Sequence, residues 1–116
     1  MQTKLLHVRA NVKDLILARE WYTNILGFKV SAIYPSDKPN YLHFEHTDGA
    51  IFAIMEGEDY PSHGRFNFNV SDVEELWNQL RDKVDVVEEL FSTPYGTRKF
   101  TIRDIDGNEL GFVQDN

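Results

Sequence analysis

Asn11-Val12-Lys13-Asp14-Leu15 returns 58 positions later as Asn69-Val70-Ser71-Asp72-Val73. At the same offset Asp48-Gly49 returns as Asp106-Gly107, and the pattern of Leu42-His43-Phe44 returns in Phe100-Thr101-Ile102. One offset that joins helix entries, strands and turns without an insertion reads as an internal duplication. The 116 residues therefore read as a single domain, 1–116, made of two modules, about 1–57 and 63–116. The segment between them, Glu58-Asp59-Tyr60-Pro61-Ser62, has the proline, serine and charge of a crossing loop.

Each module reads strand, helix, strand, strand, strand. In the first, Leu5 to Ala10 alternates and Leu15, Ala18, Trp21, Tyr22, Ile25 and Leu26 recur at helical spacing. Gly27 stands where a helix-ending glycine belongs. Phe28 to Tyr34, Tyr41 to His46 and Ala50 to Met55 read as strands, with Asp48-Gly49 as a hairpin signal. In the second, Ser71 and Glu74 have capping-box spacing ahead of an apolar stripe of Val73, Leu76, Trp77, Leu80 and Val84. Strands follow at about 86–91, 98–103 and 109–114.

Alternation sorts these strands into two faces. Ala10, Leu42, Phe44, Phe66, Phe68, Phe100, Ile102, Leu110 and Phe112 form the face expected to meet the helices. The opposite face gathers His7, Arg9, Tyr41, His43, Glu45, Met55, Arg65, Asn67, Arg103 and Glu109, with Lys99 among them. These ten residues, Lys99 aside, are the candidate ligand-binding set. Arginine forks suit carboxylates and phosphates, so the set favours a polar or anionic ligand. Internal pairing is the competing reading, for instance Arg103 with Glu45 or Arg65 with Glu109.

Four motifs add a family resemblance over nearly the full chain. They are His7-Val8-x-x-Asn11-Val12-x-Asp14-Leu15, Ala18-x-x-Trp21-Tyr22, Ile25-Leu26-Gly27-Phe28 and Asp104-x-Asp106-Gly107-Asn108. Together they resemble the vicinal oxygen chelate (VOC) superfamily, the glyoxalase, bleomycin-resistance and extradiol-dioxygenase group. The resemblance implies an α+β fold in which two tandem βαβββ modules form curved mixed sheets around a ligand cavity, usually in a homodimer. It implies an architecture and not a reaction. It also implies four metal-ligand points on the first and last strands of the modules, which fall here on His7, Ala53, Arg65 and Gly111. Only His7 is a metal donor, and a guanidinium repels a cation. Glu109 lies two residues, about 7 Å, from the Gly111 point. His7 and the His43–Glu45 pair lie roughly 10 Å apart in that topology. No metal and no other cofactor is expected, and no catalytic residue is assigned.

Two functions stay open: a metal-free small-molecule-binding protein resembling the bleomycin-resistance members, or a glyoxalase-like lyase, isomerase or dioxygenase. The net charge of −7 argues against nucleic acid. The longest apolar run, Ala50 to Met55, is too short to span a bilayer. The absence of cysteine excludes disulfides and thiolate chemistry and fits a cytoplasmic protein with a small-molecule partner.

Overall fold

The computed structural model describes residues 1–115. In chain order the elements are β1 (His7–Val12), α1 (Leu15–Leu26), β2 (Val30–Tyr34), β3 (Tyr41–Phe44) and β4 (Ile51–Glu56), then β5 (Arg65–Asn69), α2 (Val73–Leu80), β6 (Asp85–Ser92), β7 (Thr97–Arg103) and β8 (Glu109–Asp115). The strands make two four-stranded mixed sheets, β1-β4-β3-β2 and β5-β8-β7-β6. This is the α+β arrangement of tandem βαβββ modules. The chain divides into two units, Met1–Ser62 and His63–Asn116. The stretch after β4 is clasped to its own unit, because the Asn11 N–H donates to Ser62 Oγ at 2.8 Å and Asn11 Nδ2 donates to the Asp59 carbonyl at 2.8 Å.

Local chemistry explains where the helices begin and end. Asp14 caps α1 by accepting the Leu17 N–H at 3.0 Å. Gly27 ends it in the left-handed region at φ 73°. α2 differs from the sequence reading at both ends. Its cap is Asp72, which accepts the Glu75 N–H at 3.1 Å, so the Ser71–Glu74 box is shifted by one residue. It also stops at Leu80, and Val84 lies beyond it just ahead of β6. β1 likewise starts at His7 and runs to Val12, two residues later than the alternation suggests.

In the first unit the buried residues Leu15, Ala18 and Tyr22 of α1 belong to one core with Ala10, Val12, Leu42, Phe44, Phe52 and Ile54 of the strands. The Tyr22 ring lies 5.3 Å from Phe44 and 5.7 Å from Phe52, centroid to centroid. In the second, Trp77 packs 5.2 Å from Phe100, which stacks 5.3 Å from Phe112. Burial at this scale supplies most of the folding drive.

Candidate functional site

The sheet faces turned away from these cores carry the candidate residues, and strand register places them in rows. In the first sheet Asn11 pairs with Met55 and Met55 with Tyr41, which in turn pairs with Tyr34. The next row is Arg9, Ala53, His43 and Ala32. His7 sits one step further out, opposite Ile51. The Tyr41 hydroxyl and His43 Nδ1 are hydrogen-bonded at 3.1 Å. The Tyr34 ring, largely exposed, lies 6.2 Å from Tyr41 and 6.4 Å from His43. Arg9, Tyr41, His43 and Met55 are thus brought onto one surface with a phenolic ring beside it. Glu45 lies past the end of β3 and is exposed, and its N–H donates to the Lys29 carbonyl at 2.7 Å.

The second sheet has two rows as well. One reads Asp85, Arg103, Glu109, Arg65, an alternation of acid and base across four strands. The other reads Glu88, Thr101, Gly111, Asn67. Arg65 joins them. Its Nε and Nη2 donate to Glu109 Oε1 at 3.0 and 2.9 Å, and its Nη1 donates to Glu88 Oε1 at 2.8 Å. Glu88 Oε1 also accepts the Thr101 hydroxyl at 2.9 Å, with Lys99 Nζ 4.0 Å away. Gly111 leaves the space that the neighbouring Asn67 side chain fills. A Cβ there would collide with Asn67 Oδ1 and would touch Arg65 Cδ at 3.7 Å. Arg103 is paired with Asp85 at 3.3 Å and not with Glu45. The pairing of Arg65 with Glu109 is the internal alternative that the sequence raised, and both arginines are met by protein acids.

Glu88 is the member of this group that alternation misses. Val86 pairs with Ile102 on the core side, so a regular strand would send Glu88 to that side too. A register shift between them adds one residue and turns Glu88 onto the polar face, opposite Thr101. Tyr95 lies exposed in the turn between β6 and β7.

The ion pairs leave a mark on acidity. The Thr101 hydroxyl foremost, with Arg65 and Lys99 adding to it, holds the Glu88 carboxyl below the usual glutamate value, against the opposing effect of burial. The Glu109 hydrogen bond foremost keeps the Arg65 guanidinium above its ordinary value. A carboxylate with a lowered native pKa stabilises the fold above its unfolded pKa and loses that contribution as pH falls through the native one. The stability gap between wild type and Glu88→Gln should therefore be constant from pH 7 to about pH 5 and shrink below the glutamate value of 4.5. Urea midpoints of the two proteins from pH 7 to pH 3 check this; a gap that holds at pH 3 contradicts it.

The four points that the family resemblance implies for a divalent ion carry one imidazole (His7), one guanidinium (Arg65) and two side chains without a donor (Ala53 and Gly111). This set does not fit such an ion. Among the described residues no group of three His, Cys, Asp or Glu side chains is gathered closely enough to hold one. A separate surface depression of about 400 Å³ is lined by Lys13, Glu56, Gly57, Glu58 and Tyr60. Its Glu56 carboxylate is engaged at the entry of α1, accepting the Leu15 N–H at 3.0 Å.

A βαβββ duplication with polar sheet faces defines a class, and comparison with known proteins agrees with it. Residues 4–112 match the model of the Glyoxalase/Bleomycin resistance protein/Dioxygenase superfamily, and the chain belongs to that superfamily. Among solved structures it is similar to TnmS3, an antibiotic binding protein from Streptomyces sp. CB03234, at 21% identity and a TM-score of 0.82, over 99% of this chain and 98% of that one. It is similar to a superfamily member from Sphaerobacter thermophilus DSM 20745 at 21% identity and a TM-score of 0.81, over 98% of each chain. A lactoylglutathione lyase from Agrobacterium tumefaciens has 17% identity and a TM-score of 0.76, over 97% and 94%. At these identities the likeness is one of fold. No curated protein matches the chain by sequence.

Proposed function

We propose that the protein binds a small polar molecule without a metal ion or other cofactor, in the manner of the superfamily's binding members. The observation that carries this is the contrast between the two polar faces. In the second sheet Arg65 and Arg103 are engaged by Glu88, Glu109 and Asp85. In the first, Arg9 and His43 flank the small Ala53 beside the Tyr34 and Tyr41 rings. A guanidinium, an imidazole and a phenol next to an aromatic surface suit a flat molecule with a carboxylate or several oxygen atoms. The likeness to TnmS3, an antibiotic binding protein, lends support to ligand binding in general. The Arg65–Glu109 and Arg103–Asp85 pairs shift the anionic anchor expected at those two arginines to Arg9.

The test is calorimetric titration with bleomycin, with S-lactoylglutathione and with a hydroxylated aromatic carboxylate. Saturable binding of one probe, weakened about tenfold or more by Arg9→Ala and by His43→Ala, is expected, the scale of one lost charge-assisted hydrogen bond. Binding indifferent to both substitutions overturns the site. The Tyr41–His43 bond favours the enzyme alternative, since it fixes one ring nitrogen and leaves Nε2 for a substrate. Conversion of the methylglyoxal–glutathione hemithioacetal would establish that alternative. We further propose a cytoplasmic homodimer, in which a symmetric copy covers strand edges that each open sheet leaves unpaired. Light scattering on the same samples would reject it by returning a 13.5 kDa species at micromolar concentration.

A further inference from the structure

We infer that Arg65 is the resident cation of the second sheet's polar face: its guanidinium holds Glu88 and Glu109 where an ion would otherwise be held, and a donor side chain at position 65 converts the cluster into a divalent-metal site. The inference rests on the metal-free reading above and explains how the fold keeps that state.

Carboxylates from two strands meet this guanidinium, and a hydroxyl from a third holds one of them. Glu109 comes from β8, Glu88 from β6, and the Thr101 hydroxyl on β7 holds Glu88 Oε1 at 2.9 Å. Arg65 on β5 uses all three of its nitrogens on the two carboxylates, at 2.8 to 3.0 Å. The carboxylates are partly open to solvent, with side-chain exposures of 38% and 33%, so an ion could reach them once the guanidinium is gone.

Charge sets the rest. Two carboxylates face one guanidinium, with Lys99 near Glu88 alone. Without Arg65 the pair carries a charge of −2; Lys99 offsets part of it at Glu88, and Arg103, opposite Glu109 in register, is engaged by Asp85. A guanidinium cannot lose its proton to make way for a metal, as an imidazole or a carboxyl can. Histidine at position 65 would remove the fixed charge and supply a third donor. Imidazole with two carboxylates is a set that manganese, cobalt and zinc accept.

The test compares wild type, Arg65→His and Arg65→Met, each alone and with Glu109→Gln, all made without a histidine tag and checked for fold by circular dichroism. Each is titrated calorimetrically with Mn(II) and with Zn(II), and its metal content is measured. Arg65→His is expected to take up one ion per chain at least about 100-fold more tightly than wild type, and to lose it with Glu109→Gln. Arg65→Met, which removes the charge without adding a donor, is expected to show a smaller gain in the same direction. It decides the matter if Arg65→His does not fold. Folded variants with no gain overturn the inference and leave the binding function standing. A wild-type ion lost on Glu109→Gln also overturns it. A wild-type ion lost on His7→Ala instead overturns the metal-free reading, and the role of Arg65 is then decided by whether Arg65→His adds a second ion.

Discussion

Replacing Tyr22 with alanine is expected to lower the unfolding free energy by about 3–5 kcal/mol, the cost of deleting a large buried aromatic ring. Tyr22 is fully buried on α1. Its ring lies 5.0 Å from Trp21, 5.3 Å from Phe44, 5.7 Å from Phe52 and 5.8 Å from Phe28. No single neighbour can refill a space bounded by four rings on the helix, the strands and the loop after Gly27. The cavity should persist and add to the lost transfer energy. Tyr22→Phe keeps the ring and tests the hydroxyl alone, so it should cost only about 0.5–1.5 kcal/mol. Urea unfolding followed by tryptophan fluorescence measures both, since Trp21 reports on the first unit and Trp77 on the second. If the two units unfold in separate steps, the loss belongs to the step that Trp21 reports. A Tyr22→Ala protein within 1 kcal/mol of wild type would mean that the site collapses around the deletion.

The same residue shows why the fold was legible. Tyr22 lies on a stripe of period 3.6, stands shortly before a helix-ending glycine, and has the buried Leu80 at the same offset in the second unit. Periodicity, caps and a constant offset are local signals, and they agree with each other at every helix and strand. Element ends were less legible because competing caps stand side by side. Ser71 and Asp72 can each accept a helix N–H, and the structure uses Asp72.

The polar faces were legible only as far as strict alternation holds. Arg9, Tyr41, His43, Met55, Arg65, Asn67, Arg103 and Glu109 all lie on them, because β1, β3 and β4, and likewise β5, β7 and β8, pair with one another without a register shift. Glu88 was hidden because its strand carries an added residue, and no single-residue signal in Val86-Val87-Glu88-Glu89 marks where it sits. The partner of Arg103 was hidden for another reason: Asp85 stands one residue ahead of the strand read at about 86–91 and before its register shift. Asp85 lies on that irregular strand, while Glu45, the acid chosen by sequence, lies beyond the end of β3 in the other unit. Charge composition could not tell a ligand's anchor from an internal pair, since both need an arginine beside an oxygen anion. Register decided it by aligning Asp85, Arg103, Glu109 and Arg65 in one row.

Asp104→Ala is expected to cost about 2–4 kcal/mol, a large effect for a turn residue, because it strands buried donors. Asp104 is 5% exposed and Asn108 is fully buried between β7 and β8. Asp104 Oδ1 accepts the backbone N–H of Asp106 at 2.8 Å and of Asn108 at 2.9 Å. Its Oδ2 accepts Asn108 Nδ2 at 2.9 Å. The backbone closes the same turn, with the Gly107 N–H donating to the Asp104 carbonyl at 3.1 Å and Gly107 at φ 93°. Alanine removes every acceptor of the side-chain clasp, and water cannot readily replace them at Asn108. Asp104→Asn keeps one acceptor oxygen but turns an amide NH₂ toward other donors, so it should fall between alanine and wild type. The turn at Asp48 in the first unit is the internal control. There the carboxylate meets its neighbour's N–H at Gly49, 2.9 Å away, and is exposed. Asp48→Ala should therefore change stability by no more than about 0.5 kcal/mol. Equal losses from Asp48→Ala and Asp104→Ala in urea unfolding would show that the buried clasp contributes no more than the exposed turn contact at Asp48.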